Sequence, residues 1–337
     1  MKFLRTSFMK HNSAAVVVSV TLLLVTVFLS VGLGAVRLNP MDVFNGLIEG
    51  NASITGRILY HVRLPRTLAA VLAGAAFAVA GAVIQEVLAN PLASPGIIGV
   101  NAGAGFGVAL YCAFFPFAAL LPLVSFFGAL LTVMLVYGIA RKAGASRMTL
   151  LLSGVAISSL MTAGINTITI LVPDALSGIH AFQLGGLSGV SFSRLFPAGY
   201  YILAALILLS FMGRELDILA LGDDTAKSLG LNIKKYRFLF LMLAAMLSGA
   251  AVSFGGLIGF VGLIVPHMVR FMIGGGNSRA LMIFSALIGG SFLALCDTLA
   301  RTAFSPFELP VGVLIAFVGV PFFLWLLFRG KRGLHND

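Results

Sequence analysis

The residues of this chain best equipped for chemistry are a few arginines and one polar run. Arg63 and Arg66 stand three apart, and Arg301 follows Asp297 by four. A guanidinium fork matches a carboxylate in two parallel hydrogen bonds, so these arginines suit the capture of acidic side chains. The acid can come from a partner or from this chain, since Asp297 and Arg301 have the spacing of an intrahelical ion pair. Anchoring to lipid headgroups is a third use for such residues. The polar run is Arg214–Arg237, RELDILALGDDTAKSLGLNIKKYR, set in an otherwise apolar chain. In it Leu219, Leu221, Leu229 and Leu231 interleave with Asp223, Asp224 and Lys227. Asp223 or Asp224 can cap a short helix beginning near Thr225, and Gly230 can end it. A short amphipathic helix fits a groove on another protein. The plain alternative is a solvated loop, although ordinary connections between helices run only about 2–8 residues.

Other chemistry has no signature. There is no G-x-x-x-x-G-K-[ST] phosphate loop, and Gly274-Gly-Gly276 precedes Asn-Ser-Arg without the lysine. If ATP drives this protein, another chain binds it. His267 is a lone histidine beside Pro266 and reads as structural. No metal-ligand spacing, Ser/His/Asp set or carboxylate pair suggests hydrolysis. A non-enzymatic protein without a cofactor is expected. Cys112 and Cys296 both fall in apolar stretches, which implies no disulfide framework.

The elements that hold these residues are set by composition. The chain has 337 residues, 59% hydrophobic and 10% charged, with a mean hydropathy of +1.07. Soluble domains carry about 25% charged residues, so the expected solvent is lipid. Continuous apolar runs such as Ala14–Val36 exclude the alternation of a membrane barrel and require helices, which satisfy their own backbone. About ten transmembrane spans are expected, at 16–36, 67–88, 97–115, 118–140, 149–172, 195–212, 238–255, 258–269, 280–300 and 311–328. The first is too long for the apolar part of a cleaved signal peptide and is expected to be retained. The expected fold is therefore an all-α polytopic membrane protein, a single permease domain over 1–337 with a cytoplasmic segment at 214–237.

The net charge of +11 does not point to nucleic acid, because the basic residues sit at span ends. Alternating the spans from a cytoplasmic N-terminus leaves only Arg37, Arg57, Arg63, Arg66, Arg194 and Arg301 outside, with every lysine inside. The positive-inside rule favours that orientation, with both termini cytoplasmic. Leu68–Val83 (LAAVLAGAAFAVAGAV) also resembles Leu243–Ile258 (LAAMLSGAAVSFGGLI). In this topology the two run in opposite directions, as in an inverted repeat, although Ala/Gly-rich helices also resemble one another by composition. Ala70, Gly74 and Ala78 have the small-xxx-small spacing of close helix packing.

Polar residues within spans are candidates for a path: Asn101, Ser153, Ser158, Ser159, Thr162 and Asn166. Ser158, Thr162 and Asn166 recur every four positions and share a helix stripe. That stripe can face a water-filled cavity or hydrogen-bond to neighbouring helices.

Several motifs together resemble the FecCD family of ABC importer permeases. They are Arg63-Leu-Pro-Arg66-Thr-Leu-Ala-Ala with Gly74, Gly81 and Gln85; Asn90-Pro-Leu-Ala-Ser-Pro-Gly96; Leu152-Ser-Gly-Val155; Leu184-Gly-Gly-Leu-Ser188-Gly; Leu221-Gly222, Ala226 and Leu229-Gly230; Gly259-Phe-Val-Gly-Leu-Ile-Val-Pro-His267; and Glu308-Leu-Pro-Val-Gly312 ahead of Pro321-Phe-Phe-Leu-Trp. The resemblance spans nearly the whole chain. It implies a type II importer architecture with ten helices per permease, a second permease subunit (identical or paralogous), two ABC ATPase subunits inside and an extracytoplasmic substrate-binding protein outside. It places the chain in the cytoplasmic (inner) membrane of a bacterium and implies a ferric siderophore, cobalamin or haem as cargo. It makes 214–237 the coupling segment, with Leu221, Gly222, Ala226, Leu229 and Gly230 against the ATPase. Arg63, Arg66 and Arg301 become the sites that receive acidic residues of the binding protein. Asn90, Leu92, Ser146 and Arg147 approach the cytoplasmic exit and would help form its gate. Glu86, after Gln85, is a departure from the family run and takes no role from it. The rival reading is an ion-coupled secondary transporter acting alone, with Glu86 and Asp297 as relays.

Overall fold

In the computed structural model, residues 2–34, 38–115, 120–144, 146–274 and 277–332 are described. The expected residues Arg37 and Gly275–Gly276 lie outside them. In chain order the helices are α1 (Lys2–Gly32), α2 (Pro40–Glu49), α3 (Ile54–Ile58), α4 (Leu64–Leu88), α5 (Val100–Phe114), α6 (Leu121–Lys142), α7 (Arg147–Leu171), α8 (Leu176–Leu184), α9 (Phe192–Phe211), α10 (Gly213–Ala220), α11 (Asp223–Ser228), α12 (Ile233–Gly255), α13 (Val261–Ile273), α14 (Ser278–Thr302) and α15 (Val311–Arg332). No strand occurs among the described residues.

Each expected span falls on a helix, but they are not equal. Among the described residues, seven helical stretches are long and apolar enough to cross a membrane, including a continuous one over Ile54–Leu88. Val100–Phe114, Val261–Ile273 and Val311–Leu324 are shorter apolar helices. At about 1.5 Å per residue, the 15 residues of α5 fall short of the ~30 Å hydrocarbon layer. Pro65 falls where the π turn Leu59–Arg63 passes into α4, and it has no N–H to give to that join.

α4 and α12 form the interior. Their apolar windows are 83% and 78% buried, against 22% for α7. Lipid tails are as apolar as leucine, so close packing, not expulsion from water, holds such helices together. The glycines explain how closely α4 packs. A Cβ at Gly74 would lie 2.1 Å from the carbonyl oxygen of Gly289, and one at Gly81 1.9 Å from that of Gly262.

The packing also supports an internal repeat. α4 packs on α14 as α12 packs on α6, and α4 meets α12 itself. α5 packs on α6 and α7 as α13 packs on α14 and α15. Exchanging α4–α7 for α12–α15 therefore preserves the neighbour relations. The two lead helices run in opposite senses. Arg66 in the first turn of α4 borders the same pocket as Gly186, whose N–H donates to the carbonyl of Gly255 at the end of α12. The likeness of Leu68–Val83 to Leu243–Ile258 is thus matched by their packing.

Candidate functional site

The Arg214–Arg237 run comprises α10 and α11, joined by an elbow at Leu221–Gly222, and the first residues of α12. Gly222 takes φ +107°, where a side chain is strained. Gly230, at φ +81°, ends α11 as expected, and Leu231 N–H reaches back to the Ala226 carbonyl at 3.0 Å. The capping expectation fails: the N-cap of α11 is Gly222, and Asp223 is its first residue. Asp223 is drawn instead into ion pairs. Its Oδ1 accepts from Arg237 Nη2 at 2.6 Å and lies 3.6 Å from Arg147 Nε. Arg147 Nη2 donates to the Leu219 carbonyl at 2.9 Å. Asp217 accepts the Ser278 N–H at the start of α14 at 2.6 Å, and Arg279 Nε donates to the Ser210 carbonyl. The segment is therefore bolted to α7, α12 and α14.

Its two faces differ. Leu216, Leu219 and Ala226 are fully buried, while Leu221 and Leu229 are 62% and 59% exposed. Of the five residues expected against an ATPase, Leu221 and Leu229 present apolar surface outward, and Gly222 and Gly230 have open space around them. Ala226 packs inward, because the helix period turns it toward the bundle.

The polar stripe on α7 opens onto a cavity of about 560 Å³, lined by Ser94, Gly96, Ile97, Val155, Ser158, Ser159, Thr162, Ala163 and Asn166. Both readings of the stripe have a share in it. Thr162 Oγ1 satisfies itself on the Ser158 carbonyl at 2.8 Å, and Ser159 Oγ on that of Val155. Ser158 Oγ is buried with no hydrogen-bond partner among the described residues. Gly154 lets the 94–97 turn lie against α7, since a Cβ there would meet the Ile97 carbonyl at 2.2 Å. Asn101 stands beside Gly96 but does not line the cavity. Asn90 and Leu92 are also outside it: Asn90 Oδ1 accepts the Leu92 N–H at 2.9 Å and shapes the turn after α4. Ser146 caps α7, accepting from the Thr149 N–H.

The three arginines expected outside turn inward. Arg63, Arg66 and Arg301 are only 4%, 6% and 3% exposed. Arg66 grips the fully buried Asp297, through Nε at 2.9 Å and Nη2 at 3.0 Å, and reaches Glu308 with Nη1 at 2.7 Å. Arg301 binds the carbonyl and hydroxyl of Ser30 and lies 3.8 Å from Asp297. Arg63 donates to the carbonyls of Val31 and Leu33. The internal-pair alternative describes Arg66 and Arg301, and none of the three offers an outward guanidinium for docking in this conformation. Glu308, with a 39% exposed side chain, borders a pocket of about 370 Å³ with Arg66, Gly185, Ser188 and Pro310.

Sequence reasoning missed one further cluster. Arg270 donates to Gln85 at 2.6 Å and to Glu86 at 2.8 Å, and Gln85 donates to the Gly262 carbonyl. The departure at Glu86 thus has a local role, closing α4 onto α13. Asp217 was likewise legible only as a member of a polar run, because its partner, the Ser278 N–H, lies 61 positions along the chain.

A bundle of apolar, membrane-length helices with a polar two-helix appendage and a polar-lined cavity is a multi-pass helical membrane protein. The chain matches the sequence model of the FecCD transport family over residues 22–329 and belongs to that family of ABC permeases. Among its relatives, the iron(3+)-hydroxamate import system permease protein FhuB of Bacillus subtilis (strain 168) is 39% identical over 321 residues, 93% of this chain and 82% of the relative. The hemin transport system permease protein HmuU of Yersinia pestis is 37% identical over 321 residues, covering 92% and 95%. The fold matches an inward-facing conformation of a metal-chelate type ABC transporter with a TM-score of 0.82 at 28% identity, over 96% of this chain and 99% of that one.

Proposed function

We propose that this chain is the membrane-spanning subunit of a bacterial ABC importer for an iron chelate, most directly a ferric siderophore, with haem or cobalamin as the next candidates. It works with a second permease, two ATPase subunits beneath α10–α11 and a binding protein at the end where Glu308 and Arg66 border their pocket. Both termini lie on the ATPase side. The inward-turned arginines then serve the docking end by holding α4, α14 and the end of α1 together.

The observation that carries this reading is the α10–α11 segment. It presents Leu221 and Leu229 to solvent while Asp217 and Asp223 tie it to three helices. Exposed leucines on a bolted platform fit a helical face laid into a groove of a soluble partner. The ion-coupled rival loses ground because both its carboxylates are already engaged, Glu86 by Arg270 and Asp297 by Arg66.

The test is co-purification in mild detergent from native membranes, followed by ATPase assay of the eluate, for the wild type and for Leu221→Asp with Leu229→Asp. An ATPase subunit should elute with the wild type and be lost from the folded variant. If the wild type elutes alone and ATP-free vesicles still accumulate ferric siderophore on an ion gradient, the reading is wrong.

A further inference from the structure

Asp223 joins two helices of opposite character. Arg237 is the fifth residue of α12, a core helix, and is 3% exposed. Arg147 is the first residue of α7, which carries Ser158, Thr162 and Asn166 along the cavity and is the most thinly packed of the long apolar helices. One carboxylate oxygen serves both guanidinium groups, tightly on the α12 side at 2.6 Å and loosely on the α7 side at 3.6 Å. The loose arm has an unspent donor: Arg147 Nε is buried and has no hydrogen-bond partner among the described residues. Arg147 is also held at a second point, the Leu219 carbonyl. A displacement of α10–α11 therefore reaches the first turn of α7 through two contacts.

We infer that Asp223 is the positioning residue that converts movement of the 210–228 segment into movement of α7, with Arg147 as its moving arm and Arg237 as its fixed one. The inference rests on the ABC-importer reading above. The helix with fewer packing contacts yields first, so force applied at Asp223 shifts α7 against α12 and reshapes the wall bearing Ser158, Thr162 and Asn166. Shortening the Arg147–Asp223 distance by a few tenths of an ångström completes a charge-assisted hydrogen bond. The two arms thus define a slack and a taut state.

The experiment uses the complete importer in vesicles loaded with ATP, measuring ferric siderophore taken up per ATP hydrolysed. Variants are Arg147→Gln, Asp223→Asn and Arg147→Lys. Arg147→Gln removes both contacts of Arg147, to Asp223 and to the Leu219 carbonyl, but leaves the Asp223–Arg237 pair in place, so it stays folded even if Asp223→Asn does not. The expected result is a roughly tenfold fall in uptake per ATP for Arg147→Gln and Asp223→Asn, with ATPase subunits still bound and hydrolysis continuing. Arg147→Lys, which keeps the charge, recovers part of the loss. An unchanged ratio in Arg147→Gln overturns the inference, and so does loss of the ATPase subunit from Arg147→Gln, which would make it a docking residue. Failure of the wild type to carry an ATPase subunit at all refutes the functional reading instead.

Discussion

Arg66 Nε and Nη2 together clasp the Asp297 carboxylate across 231 positions of sequence, and Asp297 has no solvent exposure. Arg301 stands one turn along the same helix, 3.8 Å from that carboxylate. Removing the single buried negative charge leaves two buried guanidinium groups facing each other. Breaking a buried pair from one side costs about 3–5 kcal/mol. Asp297→Asn is therefore expected to lower thermal stability in detergent by that amount. Glu308→Gln acts on a partly solvated partner of Arg66 and should cost about 1 kcal/mol or less. Equal, small effects from the two variants would remove Asp297 from the structural core of this end.

Helix contact makes a second prediction. Gly74 and Gly289 meet backbone to backbone, each Cβ position colliding with the other's carbonyl oxygen at 2.1 and 2.4 Å. Gly74→Ala should force α4 and α14 apart and destabilise by about 1–3 kcal/mol or more. Gly138, in α6, has nothing within 4 Å of its Cβ position. Gly138→Ala should stabilise by about 0.5–1 kcal/mol through helix propensity alone. Thermal unfolding of the two variants side by side reads the contrast, and a tolerated Gly74→Ala would mean the helices pack less closely than described.

Much of this arrangement was legible in the sequence, and the reason differs by element. Helices at every expected span follow from apolar runs that must bond their own backbone in lipid. The α7 stripe was legible from a four-residue spacing, because helix geometry alone places Ser158, Thr162 and Asn166 together. The placement of Arg66 was not, since the spacing of Arg63 and Arg66 says nothing of an aspartate that folding brings from the far end of the chain. The same holds for Arg270 and Glu86. α10 was hidden for a different reason: its buried Leu216 sits between Glu215 and Asp217, and a charged stretch of that kind reads equally as a solvated loop. Ala226 was misplaced because a motif gives a residue's identity, whereas the helix turn decides its direction.

The α7 cavity offers a third prediction. A buried hydroxyl without a partner is costly, about 1–3 kcal/mol, and Ser158 Oγ is one. Ser158→Ala is expected to leave thermal stability unchanged or raised, with uptake near wild type. Ser158→Leu and Asn166→Leu fill the same cavity with hydrocarbon and should depress uptake while ATPase subunits remain bound. Uptake that survives both leucines would mean the cargo passes elsewhere, and the cavity would then be a packing feature of α7.

The last prediction separates structural from relay roles for Glu86. Its carboxylate is held by Arg270 at 2.8 Å, and the same guanidinium holds Gln85, which in turn anchors the Gly262 carbonyl. A proton relay needs a carboxylate that changes partner and charge during the cycle. A strut needs one that keeps both. Glu86→Gln preserves a hydrogen-bond acceptor for Arg270 and removes the charge, so as a strut it should cost about 1 kcal/mol and leave uptake ATP-dependent. Collapse of the proton gradient should not alter uptake by either form. Arg270→Met strips the partner from Gln85 and Glu86 together and should be the more damaging change. It should loosen the junction of α4 and α13 next to the Asn90–Leu92 turn, with protease sensitivity at that turn as the readout. If Glu86→Gln abolishes uptake and wild-type uptake falls with the proton gradient while ATP is held constant, Glu86 is a relay, and the pair with Arg270 is one state of its cycle.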